Sequence, residues 1–143
     1  MDNDNLKEKR EVLMKHYVKP LHFGFIDNAQ LYTKRLASDS CADELILQVG
    51  VKDGVFQSLR FEGSACVIAT SSMDLWCDFL IGKSLTTSQT LLDQYLLMIY
   101  EGTAPLDDLN QLMIFANIHH QKGRWKCAVL GAEGLVDFIN HAK

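Results

Sequence analysis

Three cysteines, Cys41, Cys66 and Cys127, stand on three separate local elements, each beside a small residue, a carboxylate or a cation, and Asp43 follows the first of them by two positions. In an extended segment, side chains at i and i+2 point the same way, so Cys41 and Asp43 can address one ion. Cys66 follows a strand-like run and a glycine-containing turn and precedes a helix, whose N-terminal dipole favours a thiolate. Cys127 falls in the first turn of the last helix, with Arg124 and Lys126 nearby, and the same argument applies. Three soft thiolates and one harder carboxylate suit a four-coordinate site for Zn²⁺ or an iron–sulfur cluster. A carboxylate among thiolates favours an exchangeable position over a permanent staple.

Weaker readings compete with this one. A lone cysteine is more often a small buried hydrophobe than a ligand, and Cys77, mid-helix among Trp76, Phe79 and Leu80, fits that description. There is no C-x-x-C pair, so spacing alone is a weak signal for zinc. His119-His120 is a second source of nitrogen ligands, read here as a solvated pair. Arg124 is equally a partner for Asp43 and a plain surface cation. His16 and Tyr17 read as helix packing and cap, and Trp76 and Trp125 as core or interface.

The elements that must gather these residues are modest in number. Leu6 to Tyr17 carries Leu6, Val12, Leu13 and Tyr17 on one helical face, and Pro20 and Gly24 end it. Residues 21–34 read as a surface loop. Leu45 to Val51 and Val55 to Phe61 are strand-like, and Asp53-Gly54 between them is a strong hairpin signal. Cys66 to Thr70 is expected to form a short third strand, with Ser71-Ser72 capping a helix to about Ile81 and Gly82 closing it. Ser88 to Tyr100 carries a wide apolar stripe. Pro105 introduces a further helix with Leu109, Leu112, Met113 and Ile114 inward, and Arg124 to His141 forms the last. The expectation is an α+β fold: a small antiparallel three-stranded sheet with helices packed mainly on one face.

The sequence of 143 residues suits one domain, 1–143, and its 48% hydrophobic content can supply a core. A formal charge of −4 argues against a general nucleic-acid binder. No apolar run is long enough to span a bilayer, and the acidic, polar start does not read as a secretory signal. Scattered cysteines argue for a cytoplasmic chain with reduced thiols. No phosphate-binding loop or serine-hydrolase motif is present, so the chain is not read as a nucleotide enzyme or hydrolase.

Several segments, in order, resemble those of the IscU/NifU-N/SufU family of iron–sulfur assembly proteins. His16-Tyr17, Pro20 and Gly24 resemble its N-terminal pattern, and Cys41-Ala42-Asp43 its Cys-Gly-Asp. Phe61-Glu62-Gly63-Ser64-Ala65-Cys66-Val67-Ile68 resembles its second ligand segment, Ser72 matches a serine beyond it, and Gly82-Lys83 ends a helix as in the family. Arg124-Trp125-Lys126-Cys127-Ala128 resembles its third ligand segment. An additional helical segment near residues 85–110, Lys126 where the IscU branch has histidine, and the missing Leu-Pro-Pro-Val-Lys resemble the SufU branch.

The resemblance implies a SufE/NifU-like fold, with Zn²⁺ or a [2Fe–2S] cluster held by Cys41, Asp43, Cys66 and Cys127. It also implies a SufS-like cysteine desulfurase as sulfur donor and downstream iron–sulfur proteins as acceptors. Cys127 is then the expected sulfur acceptor, with Arg124 in support. The alternative is a structural zinc module that binds partners without sulfur chemistry. Ala42 and Ala65 replace glycines of the family motifs and remove free access to positive φ, so loop geometry is where departures are expected.

Overall fold

The computed structural model describes residues 2–27, 31–38 and 42–142. Asp53 and Gly54 both take positive φ, 55° and 75°, the combination a two-residue hairpin turn requires. That turn sets β2 (Glu44–Lys52) antiparallel to β3 (Val55–Ser64), as expected. A register shift at Gly50/Val51 changes the facing of residues along β3, so Phe56 and Leu59, three positions apart, are both buried.

The third strand is a correction. It is β1 (Tyr32–Ala37), antiparallel to β2 on the side away from β3, and it comes from a segment read partly as loop. Lys34 and Arg35 hide the alternation in sequence. Lys34 nevertheless lies on the helix side, with its ammonium 3.2 Å from Asp137, and Leu36 two residues on is core. Cys66 to Thr70, expected as a strand, instead opens α2 (Val67–Leu80). A short apolar run such as Val67-Ile68-Ala69 serves either element, and the cap decides it. Cys66 is the N-cap, its Sγ accepting from the Ala69 N–H at 3.4 Å. Ser71 and Ser72 lie inside the helix, their hydroxyls donating to the carbonyls of Leu13 and Ala128.

The helices α1 (Asp2–Val18), α2, α3 (Leu85–Glu101) and α4 (Trp125–Ala142) complete an α+β arrangement around one contiguous core. Trp76, Tyr95, Phe56, Phe61 and Phe115 are its largest buried side chains, each contributing roughly 1.5–3 kcal/mol through burial. The segment after Pro105 winds as a 3₁₀ helix over Asn110–His120. Its buried residues recur every third position: Leu109, Leu112, Phe115 and Ile118. Three residues per turn explains that stripe and corrects the inward placement of Met113, which is 38% exposed.

After α1, residues 21–26 form a strap over the sheet. Gly24 N–H donates to Phe61 O at 2.8 Å and Phe61 N–H to His22 O at 3.0 Å, while the Ile26 backbone makes two bonds to the Gln48 amide. Asp74, in the middle of α2, accepts from the N–H groups of Leu21 and His22 and bonds His16 Nδ1.

Candidate metal centre

Asp43 lies just before β2, Cys66 just after β3, and Cys127 in the first turn of α4. The β2–β3 ladder brings the first two together, because Glu44 pairs with Ser64 at the end of the hairpin. Gly63 allows the close approach there. It has φ +120°, and a Cβ on it would lie 2.3 Å from the carbonyl oxygen of Glu44. One carboxylate oxygen of Asp43 accepts from the Cys66 N–H at 2.8 Å, which fixes the carboxylate beside the thiol.

The packing of α4 on α2 then brings in the third residue. Ligand atoms of Asp43, Cys66 and Cys127 all lie within 4.8 Å of one another. Cys127 and Asp43 are buried, and Cys66 is half-buried, so the cluster sits at the rim with one open side. Two thiol sulfurs and a carboxylate oxygen at this spacing fit a soft divalent ion or an iron–sulfur cluster. Cys41 is outside the described residues, two positions before Asp43.

The electrostatics of Cys127 differ from the sequence expectation. Burial pushes its thiol well up, and the neighbouring Cys66 and Asp43 push it in the same direction. Burial first, and the neighbouring Cys66 and Asp43 after it, outweigh the helix dipole. Lys126, expected to stabilise a thiolate at Cys127, has its ammonium 5.8 Å from the Tyr100 ring centre. Arg124 is exposed at the helix entry, in no ion pair found among the described residues.

Other candidates fall where their weaker readings put them. Cys77 is fully buried in α2, its thiol pushed well up by burial. His119 Nδ1 lies 2.9 Å from Ile99 O and its ring stacks on Trp125, so the histidine pair belongs to the α3 layer and not to the cluster. Trp76 is core, and Trp125 is half-buried with its indole N–H donating to Ile118 O and His119 O. Ala65 is not among the residues of positive φ, so its replacement of glycine creates no left-handed strain. Sequence reasoning missed Asp74. A carboxylate inside the apolar run from Val67 to Leu80 was its signal, because a buried charge demands partners.

Comparisons with known proteins agree with this geometry. The family model described as the NifU-like N-terminal domain matches residues 8–128. The iron–sulfur cluster assembly scaffold protein IscU of Streptococcus pyogenes serotype M1 is 26% identical over 132 residues, covering 92% of this chain and 82% of that protein. The scaffold protein of the same name from Thermotoga maritima is 30% identical over 100 residues, 70% of each chain. Two crystal structures share the fold. One is the N-terminal part of a nitrogen-fixing NifU-like protein from Brucella abortus, with a TM-score of 0.82 at 16% identity over 91% of this chain and 90% of that one. The other is the proposed SUF-system scaffold FiSufU of Fervidobacterium islandicum AW-1, with a TM-score of 0.77 at 24% identity over 87% and 91%. With the match spanning β2, β3, α2 and the first turn of α4, the chain belongs to the NifU-like N-terminal domain family.

Proposed function

We propose that this chain is an iron–sulfur cluster assembly protein that receives sulfur at the Asp43–Cys66–Cys127 cluster and passes iron and sulfur on to acceptor proteins. The observation that carries the reading is the convergence of those three residues within 4.8 Å at a half-open rim. Family membership and the scaffold function of its IscU relatives support it. Cys41, two positions before Asp43, is the fourth ligand in this reading, and Zn²⁺ or a [2Fe–2S] cluster is the group held.

A bound cation at this site would hold the sulfurs as thiolates and offset the burial and crowding that push the Cys127 thiol up. Sulfur transfer is then a thiol–disulfide exchange. Cys127 Sγ, as thiolate, attacks the terminal sulfur of a desulfurase cysteine persulfide. A new S–S bond forms at Cys127, the donor S–S bond breaks, and the donor cysteine leaves as thiolate. Arg124, exposed at the mouth of α4, is placed to attract the anionic persulfide. The partners are a SufS-like cysteine desulfurase and iron–sulfur acceptor proteins. A purely structural zinc role has less support, because the core is contiguous without help from the rim.

The test combines metal and sulfide analysis of anaerobically purified protein with alanine release by a partner desulfurase. Stoichiometric zinc, or iron with labile sulfide, is expected, together with stimulation of the desulfurase. Cys127→Ser should fold, abolish stimulation and carry no persulfide by mass spectrometry, whereas Cys77→Ser should behave as wild type. Full stimulation by Cys127→Ser would remove Cys127 from the acceptor role.

A further inference from the structure

Behind Cys127 lies a buried polar triangle. Ser72 Oγ on α2 is 2.9 Å from the carbonyl oxygen of Ala128, the Tyr95 hydroxyl on α3 is 2.7 Å from the same oxygen, and the two hydroxyls are 3.2 Å apart. Both side chains are fully buried. Two hydroxyl protons serve three links, and the Ala128 carbonyl also belongs to the α4 ladder. Both hydroxyls donate to that carbonyl, which ties α2, α3 and α4 together at a single atom.

Ala128 directly follows Cys127. The residues before Cys127 are held by the same layer of α3 and the 3₁₀ segment. The Trp125 indole N–H donates to Ile118 O and His119 O at 3.1 and 3.0 Å, and its ring lies edge-on to Tyr100 with centres 5.5 Å apart. Cys127 itself faces the other way, toward Cys66 and Asp43.

We propose that Tyr95, acting with Ser72, is a positioning residue for Cys127: holding the Ala128 carbonyl, it sets the rotation of the first turn of α4 and so aims the Cys127 sulfur at Cys66 and Asp43. This rests on the metal-site reading of Cys127 given above. A helix rotation of about 10° moves a side-chain atom roughly 5 Å from the axis by about 1 Å. Metal–ligand distances tolerate only about 0.2 Å, so the turn must be pinned more tightly than apolar packing alone pins it. The pin comes from α3 as well as α2, so α3 serves the rim as well as the core.

The test uses the full chain with Co²⁺ as probe, reading affinity by competition and the thiolate-to-cobalt charge-transfer band. Tyr95→Phe keeps the ring against Trp76 and removes only the hydroxyl. It should weaken Co²⁺ binding roughly tenfold and lower the band per bound ion, the size of effect seen when a supporting hydrogen bond behind a ligand is lost. Ser72→Ala should give the same pattern. Phe56→Leu, a packing change on β3, should lower the melting temperature while leaving affinity and band unchanged. In a Cys127→Ser background, Tyr95→Phe should add nothing further. In metal-free protein, Tyr95→Phe should also slow Cys66–Cys127 disulfide formation by oxidised glutathione. Unchanged affinity and band in Tyr95→Phe would overturn the proposal, as would an undiminished effect in the Cys127→Ser background. A wild-type chain that binds no cobalt would overturn the metal reading instead. The disulfide rate would then decide the positioning role, an unchanged rate in Tyr95→Phe counting against it.

Discussion

Among the described residues two carboxylates are buried, and their surroundings differ. Asp74, inside α2, is fully covered and surrounded by proton donors: His16 Nδ1 and the N–H groups of Leu21 and His22. Asp43, at the rim, accepts from the Cys66 N–H and lies beside two thiols. The same contrast holds for sulfur. Cys77 lies in the core beside Asp74, whereas Cys66 and Cys127 meet at the open edge. Donors around an acid neutralise it for good and make it part of the fold. Thiols beside an acid bring three potential ligand atoms to one place.

The largest expected effect separates the two acids. Asp74→Ala leaves a buried histidine and two strap amides without their acceptor, and should cost about 3–5 kcal/mol in urea unfolding of the metal-free protein. Asp43→Ala removes the acceptor of the Cys66 N–H at the half-open rim and should cost less, about 1–2 kcal/mol, in the same measurement. Equal losses would erase the distinction. Metal should close most of that gap. With free Zn²⁺ a hundredfold above its Kd, linkage adds about 2.7 kcal/mol to the wild type, and a chelator should remove that increment. The increment should persist in Cys77→Ala and disappear in Cys66→Ser.

The smallest effect concerns alkaline pH. Burial raises the Cys77 thiol, so the folded state keeps its proton while the unfolded chain loses one above about pH 8.5. Stability is therefore lost as pH rises. The difference in unfolding free energy between wild type and Cys77→Ala in metal-free protein should shift by about 2 kcal/mol between pH 8 and 10, to the disadvantage of the wild type. A pH-independent difference would show that Cys77 is more accessible to water than its position implies.

Much of this was readable from sequence because it depends on local chemistry. The Asp53-Gly54 turn, the stripe on α3 and the three ligand segments each carry their signal within a few residues. What was not legible depended on competition between distant parts. β1 has charged residues at Lys34 and Arg35, and only pairing with β2 makes it a strand. Val67 to Thr70 becomes helix because the Cys66 sulfur caps it. The burial of Cys127, and its crowding by Cys66 and Asp43, need tertiary structure to exist at all, so a helix-dipole argument alone misses the direction of its shift. The every-third-residue stripe from Leu109 to Ile118 was visible, but an α-helical period was applied to it.

The strap over the sheet bears on how the molecule assembles. Its backbone bonds reach Asp74 across 53 residues and Gln48 across 22, and its neighbour Phe61 lies on a third element. Contacts so distant in sequence bring no return until long loops have closed, whereas the β2–β3 hairpin forms from residues next to one another. The strap is therefore a late event in the folding reaction, fastened once α2 and β3 have met. In the native ensemble, it is the segment that can detach without unravelling the hairpin beneath it.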